Sequence, residues 1–229
     1  MIDALIFDLD DTLYPECEFV ASGYLAVAGH IQMKYGRPKE EVFDAMMSVF
    51  RTNGRDKVFP MVLDRFLDSS VEMGELVDVY RLHTPVLRLF PGYERLLARF
   101  HREFKLGVIT DGLPEVQRRK AEALNLQSMV DRIIYTREFG KDLEKPHPFC
   151  FNLMLDSLLT TASRSVFVGD NPEKDCIGAH SVGMAFVRVL PDSRLREPYC
   201  DVEEAPEFVI RSLTELPQVL ESSESYATV

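Results

Sequence analysis

The amino-acid sequence predicts an α/β protein, in which a parallel sheet is sandwiched by helices and an all-helical segment is inserted after the first strand. Three observations carry this prediction. Six short apolar runs of strand length recur along the chain. Helical periods of apolar residues separate strand from strand, which is the order a parallel sheet with helical crossovers requires. One long stretch, 15–87, breaks the alternation and carries helical periods alone.

The first strand is ALIF (4–7), which empties directly into three carboxylates within four residues, Asp8, Asp10 and Asp11. Carboxylates crowded together repel one another, so something positive is expected among them. In the insert, Val20, Tyr24, Val27 and Ile31 fall on one helical face, closed by Gly36. Pro38 then opens a second helix carrying Val42, Met46 and Val49, which stops near Asn53 and Gly54. Two further helical segments follow, near 59–69 and 74–83. The α/β pattern resumes with Tyr93, Leu96, Leu97 and Phe100 at i, i+3, i+4, i+7. The remaining strands are KLGVI (105–109), RIIY (132–135), SVFVG (165–169), AFVRV (185–189) and EFVI (207–210). The expected organisation is therefore a core of 1–14 with 88–221, a helical insert of 15–87, and a polar tail, 222–229, that is disordered. There are no internal repeats.

Composition excludes several functions. A chain of 229 residues, 46% hydrophobic, can bury a full core with a smaller second unit. A formal charge of −11, from 26 basic against 37 acidic residues, argues against nucleic acid or an anionic membrane as the partner. A small anionic substrate is compatible with it where cations are gathered locally. Cys17, Cys150, Cys176 and Cys200 lie far apart, with no CxxC and no histidine at ligand spacing, so reduced thiols are expected rather than a zinc site or disulfide framework. Asp3 and Asp8 break the N-terminal apolar stretch, and no apolar run approaches the ~18 residues of a membrane span. A cytoplasmic location is the expectation. The oligomeric state has no signature in the sequence.

Three polar clusters each follow a predicted strand: DLDDT (8–12) after ALIF, TDG (110–112) after GVI, and GDNPEKD (169–175) at the end of SVFVG. In an open parallel sheet the carboxyl ends of the strands face one rim, where ligands bind. Lys145, in EKPHP, follows RIIY by a loop and can reach the same rim. Asp8, Asp10, Thr110, Lys145, Asp170 and Asp175 thus converge from positions far apart in the chain. Each cluster alone has a plainer explanation as a turn or helix cap, Asn171 before Pro172 being an N-cap pattern. Their arrival on one rim, in this order, is what turns and caps do not predict.

This constellation resembles the haloacid dehalogenase superfamily, whose four motifs are DxDxT, a Ser or Thr after a second strand, a Lys, and an acidic GDxxxxD-type loop. They stand here as DLDDT (8–12), Thr110 in VITDG, Lys145 in KPHP, and GDNPEKD (169–175). The match spans residue 3 to about 190, LFPGYERLL (89–97) resembles the re-entry from a cap, and the helical insert is similar to the family's C1 cap. The resemblance implies a Rossmann-like core and a phosphatase. DLDDTLYP is also similar, over that one short motif, to pyrimidine 5′-nucleotidase-like members.

By this resemblance Asp8 is the nucleophile that becomes an aspartyl phosphate, and Asp10 protonates the leaving oxygen and then activates water. A Mg²⁺ held by the Asp8 carboxylate, the Asp10 main-chain carbonyl and Asp170 offsets the crowded negative charge. Thr110 and Lys145 meet the phosphoryl oxygens. Asp175 orients Lys145 or supports the metal, and Asp11, Thr12 and Asn171 organise the loops. Lys145 is preferred over Lys141 because the family lysine precedes a proline, although FGKDLEKP is about two residues longer than the usual spacing. Asp111 stands where many relatives have Asn, and it fits beside a phosphate only if it turns away or helps to hold the cation.

The implied substrate is a small phosphorylated metabolite, whether nucleotide, sugar phosphate or phosphoglycolate-like. RTNGRDK (51–57) is the insert's one basic turn, which makes Arg51, Arg55 and Lys57 the specificity candidates against the alternative of a solvated loop. Other readings stay open. A phosphomutase of the beta-phosphoglucomutase type would keep all four motifs. A 2-haloacid dehalogenase would need no acid at position 10, and a non-catalytic binding protein would not need the full motif set.

Overall fold

The structure, a computed structural model, describes residues 1–68, 70–190 and 205–226, with side chains as far as 221. It divides into two compact units, Met1–Pro15 with Arg88–Val229, and Glu16–Leu87.

The first unit is built on six parallel strands: β1 (Ala4–Phe7), β2 (Lys105–Thr110), β3 (Arg132–Tyr135), β4 (Ser165–Gly169), β5 (Ala185–Val189) and β6 (Phe208–Ile210). Their order across the sheet is β3-β2-β1-β4-β5-β6, the order of a Rossmann-like doubly wound sheet. All four residues of ALIF are fully buried, as a central parallel strand covered on both faces requires. Around the sheet pack α5 (Tyr93–Phe100), α6 (Pro114–Ala123), α7 (Pro148–Ser157), the short α8 (Ile177–Ser181) and α9 (Leu216–Tyr226). One face of the sheet closes over Ile6, Ile109, Phe151, Met154, Phe167 and Phe186. Phe151 and Phe167 meet with ring centroids 5.1 Å apart. Truncating either to alanine is expected to cost about 3 to 5 kcal/mol.

Register sets the functional rim. Phe7 lies opposite Val108 of β2 and Val168 of β4. The residues that follow, Asp8, Thr110 and Asp170, therefore leave three adjacent strands at the same edge. After β3 the chain crosses to the other side of β1 to form β4, which makes β1 the switch point where such sheets open a crevice.

The second unit contains α1 (Glu16–Tyr35), α2 (Lys39–Asn53), a 3₁₀ turn at Arg55–Lys57, α3 (Val58–Phe66) and α4 (Met73–Leu82). The predicted face of α1, Val20, Tyr24, Val27 and Ile31, is buried against Val42, Met46, Val58, Val62, Phe66 and Leu76. Gly36 and Gly54 end α1 and α2 with φ of 69° and 80°, a left-handed backbone that residues with a Cβ adopt at a cost. Gly23 has a different duty, since a Cβ there would stand 2.5 Å from the Tyr80 ring.

Two details differ from the sequence prediction. Pro38 caps α2 in an extended conformation and the helix begins one residue later, because an extended residue is what an N-cap needs. The last helix runs on to Tyr226, so the segment expected to be disordered from 222 is helical that far. Leu216 and Leu220 are buried and hold its start, and each residue added to a helix already nucleated gains a hydrogen bond that offsets its ordering. Residues 227–229, the end of that predicted tail, lie outside the described residues.

Candidate active site

Beyond β1 the register continues for one bond, from the Asp8 N–H to the Val168 carbonyl at 2.9 Å. The chain then turns sharply. Leu13 N–H reaches the Leu9 carbonyl at 3.0 Å, and Asp11 takes a left-handed φ of 55°, which a short polar side chain tolerates better than most. This turn brings Tyr14 back beside Asp10, and its hydroxyl donates to the Asp10 carboxylate. Asp11 and Thr12 are buried within the turn.

The loop after β4 is organised by Asn171, whose side-chain oxygen accepts from the N–H groups of Glu173 and Lys174 at 3.1 and 3.3 Å. It presents Asp170 and Asp175, 3% and 0% exposed. Gly169 makes room, since a Cβ there would stand 2.2 Å from Asp175 Oδ2. Lys145 Nζ donates to Asp8 Oδ1 at 2.5 Å and to Asp175 Oδ1 at 2.7 Å. The other Asp175 oxygen accepts from the Asn171 N–H at 3.1 Å. Asp175 thus spends both oxygens on holding Lys145 and its own loop.

Oxygens of Asp8, Asp170 and Asp175 lie within 4.8 Å of one another. Two of these three buried carboxylates, Asp8 and Asp175, share the Lys145 ammonium. Burial pushes the Asp8 carboxyl well above the usual range, with Asp175, Asp170 and Asp10 adding to it and Lys145 opposing. Lys145 is held above the ordinary lysine value, because the carboxylates outweigh the burial that would lower it. A hard divalent cation fits this surplus of oxygen charge.

Thr110 ends β2, 1% exposed. Its hydroxyl accepts from Gln117 Nε2 at 2.6 Å, and the same nitrogen reaches Asp10 Oδ2 at 2.9 Å. Lys120 Nζ lies 2.8 and 3.0 Å from the two Asp10 oxygens. Burial would raise the Asp10 carboxyl, but Lys120, Tyr14 and Gln117 together hold it below the usual range. The sequence reading missed Gln117, Lys120 and Tyr14. A signal existed: Gln117 and Lys120 occupy inward positions of α6 beside buried Ala121, where a helix ordinarily carries apolar residues.

Asp111 turns away from the rim's centre. One oxygen accepts from the Thr136 hydroxyl at 2.8 Å and the Lys145 N–H at 3.1 Å, while the other pairs with Lys174 at 3.1 Å. It therefore braces the loop that carries Lys145. Glu144 ties the same loop down from the other side, accepting from the Gly112 N–H at 3.0 Å and from Arg137 at 2.9 and 3.0 Å. Lys145 is 5% exposed whereas Lys141 is exposed to solvent.

In the helical unit Arg51, Arg55 and Lys57 are all exposed. Arg55 pairs with Glu16 at 2.7 Å and lies over the Phe50 ring. Cys17, Cys150 and Cys176 are reduced cysteines, and Cys200 lies outside the described residues. Among the described residues no helix is long and apolar enough to cross a membrane.

Comparison with known proteins agrees with this geometry. The family model for haloacid dehalogenase-like hydrolases matches residues 5–189. The chain is 31% identical over 232 residues to a glyceraldehyde 3-phosphate phosphatase of Methanocaldococcus jannaschii, covering 97% of this chain and 98% of that one. It is 28% identical over 204 residues to a phosphoserine phosphatase of Thermus thermophilus, covering 89% and 77%. Its fold is similar to that of a 2-haloacid dehalogenase from Pseudomonas syringae, with a TM-score of 0.66, 25% identity, and coverage of 97% and 99%. The chain belongs to the haloacid dehalogenase-like hydrolases and is an enzyme of their phosphatase branch.

Proposed function

We propose that the protein hydrolyses phosphomonoesters of small metabolites with Mg²⁺, by way of an aspartyl phosphate on Asp8. The observation that carries this reading is the sharing of one ammonium, Lys145, by two of the three buried carboxylates, beside a fourth carboxylate, Asp10, held by its own set of donors. Such a site has charge of both signs at the same rim, with a nucleophile and a separate acid two residues apart.

Asp8 attacks phosphorus and the phosphorus–oxygen bond to the leaving group breaks. Lys145 neutralises charge on the phosphoryl oxygens, and the Thr110 hydroxyl donates to one of them. Asp10, a carboxylate at rest, takes up a proton from solvent as substrate binds and gives it to the leaving oxygen, then takes one from the water that hydrolyses the aspartyl phosphate. Asp175 keeps Lys145 in place throughout. Asp8, Asp170 and the Asp10 main-chain carbonyl would hold Mg²⁺, which supplies charge neutralisation and in-line alignment of the phosphoryl group. Asp10 separates this reaction from dehalogenation, where no leaving oxygen needs a proton.

The relatives named for glyceraldehyde 3-phosphate and phosphoserine support a substrate of similar size, a small metabolite carrying one phosphate. A panel of phosphorylated metabolites, scored by kcat/KM for phosphate release with Mg²⁺, tests this directly. Triose phosphates and phosphoserine are expected among the best substrates. EDTA is expected to abolish release and Mg²⁺ to restore it, with Ca²⁺ inhibiting because its looser coordination misplaces the reacting atoms. Full activity in EDTA contradicts the metal assignment.

A further inference from the structure

Asp10 sits among more donors than proton transfer needs. Tyr14 O–H and Lys120 Nζ reach Oδ1, while Gln117 Nε2 and Lys120 Nζ reach Oδ2. Both oxygens are engaged, so the plane of the carboxylate is set from two sides. The Gln117 amide nitrogen has two hydrogens, one for Asp10 and the other for Thr110 Oγ1 at 2.6 Å. Thr110 therefore accepts from Gln117, which leaves its own hydroxyl hydrogen for another acceptor. Lys120 and Gln117 are 4% and 2% exposed. Burying an ammonium is expensive, and a well-packed apolar pair is often as stable as a buried ion pair, so stability alone does not account for a lysine at this position.

We propose that Lys120 and Gln117 are positioning residues of the hydrolysis, a clamp extended from α6 that fixes the direction of the Asp10 carboxylate and the donor sense of the Thr110 hydroxyl. The proposal rests on the reading of Asp10 as the proton donor to the leaving group. The clamp acts through Asp10, so its loss matters in proportion to the leaving group's need for a proton. An alkyl phosphate departs as a strongly basic alkoxide unless Asp10 protonates the oxygen as the bond breaks. A nitrophenolate carries the electron pair away unaided.

The test compares kcat/KM, which reports transfer to Asp8 and not hydrolysis of the intermediate, on p-nitrophenyl phosphate and on the alkyl phosphomonoester that the wild type hydrolyses fastest. Lys120→Met, Lys120→Arg, Gln117→Leu and Asp10→Asn are measured side by side, each with a melting curve. Lys120→Met is expected to lose about 10²-fold on the alkyl ester and less than about tenfold on the aryl ester, mostly in kcat. Lys120→Arg should recover part of the alkyl activity, and Gln117→Leu should show a smaller loss with the same leaving-group bias. Should Lys120→Met not fold, Gln117→Leu and Lys120→Arg carry the comparison. Equal losses on both esters, the mark of a merely structural role, overturn the clamp, as does full alkyl activity in both Lys120→Met and Gln117→Leu. If Asp10→Asn is biased toward the alkyl ester and the clamp variants are not, the clamp alone fails. An Asp10→Asn with equal losses on both esters removes the reading of Asp10 and the clamp with it.

Discussion

Both units of this protein carry ion pairs at the surface, but the α/β unit also buries charge. In the α/β unit Asp8, Lys120, Lys145, Asp170 and Asp175 are all buried, and the ion pairs among them are closed off from solvent. In the helical unit the ion pairs lie at the surface: Glu41 with Arg65, Glu75 with Lys34, and Glu16 with Arg55. Its interior is aliphatic and aromatic, with Tyr24, Phe59 and Tyr80 in mutual edge or tilted contact. Each buried ion costs several kcal/mol in desolvation, whereas an exposed pair contributes little either way. The helical unit is assembled as the physics of stability prefers. The rim of the sheet is not, and that excess cost supports the proposal that chemistry is done there.

The sharpest way to break this contrast is Asp8→Asn, which preserves shape and removes the nucleophilic carboxylate. Turnover is expected to fall by about 10²-fold or more with the melting curve retained, measured as phosphate release under saturating Mg²⁺. A variant that keeps more than roughly a tenth of the wild-type rate is incompatible with the assigned role.

Next in size is a matched pair of cation deletions, one in each unit. Lys145→Met strands Asp8 and Asp175 as buried anions, and urea unfolding in the absence of metal should show a loss of about 3 to 5 kcal/mol. Arg65→Ala removes the exposed partner of Glu41 and should change stability by about 0.5 kcal/mol or less. Similar losses in the two variants would erase the distinction between the units.

A smaller effect is expected from the basic turn of the insert. Arg51→Ala, Arg55→Ala and Lys57→Ala, made singly, should raise KM and reorder the substrate panel while changing kcat for a generic small phosphoester much less. Of the three, Arg55 is already paired with Glu16 and should disturb packing as well. An unchanged ranking in all three moves specificity to other residues of the insert.

The smallest effect concerns acid. Hydrogen bonds from Lys34 and His30, helped by Tyr35, draw Glu75 down from 4.5 to about 2. Its folded value lies below the unfolded one, so its contribution is present above about pH 4.5 and is lost as the pH falls toward about 2. Glu75→Gln should flatten that part of the stability profile, and high salt should mimic the variant because the group is solvated. A wild-type profile indistinguishable from that of Glu75→Gln across this window removes the effect.

Legibility in the sequence followed burial. The central strands could be read because a strand covered on both faces is an unbroken apolar run, as ALIF is in β1; RIIY coincides with the edge strand β3 residue for residue although only Ile134 is buried there. The insert could be read because one helix face must be apolar, as Val20, Tyr24, Val27 and Ile31 are. The gathering of Asp8, Lys145, Asp170 and Asp175 was legible for a different reason: strand ends in a parallel sheet share an edge. What escaped was the partner of each polar group. Lys120 and Gln117 sit on a helix whose composition is polar overall, so their inward direction is hidden until the helix is docked. The turning of Asp111 depends on Thr136 and Lys174, brought to it from separate loops. Pairings of this kind are tertiary facts, and no local pattern encodes them.

The central claim, a phosphoryl group carried on Asp8, is tested most directly by trapping it. The enzyme is mixed with substrate and Mg²⁺, quenched, and reduced with borohydride, which converts an aspartyl phosphate to homoserine. Peptide mass spectrometry should find homoserine at position 8, only with substrate present and not in Asp8→Asn. Phosphate release in the wild type with the modification at another residue, or at none while Asp10→Asn also fails to accumulate it at position 8, contradicts the account.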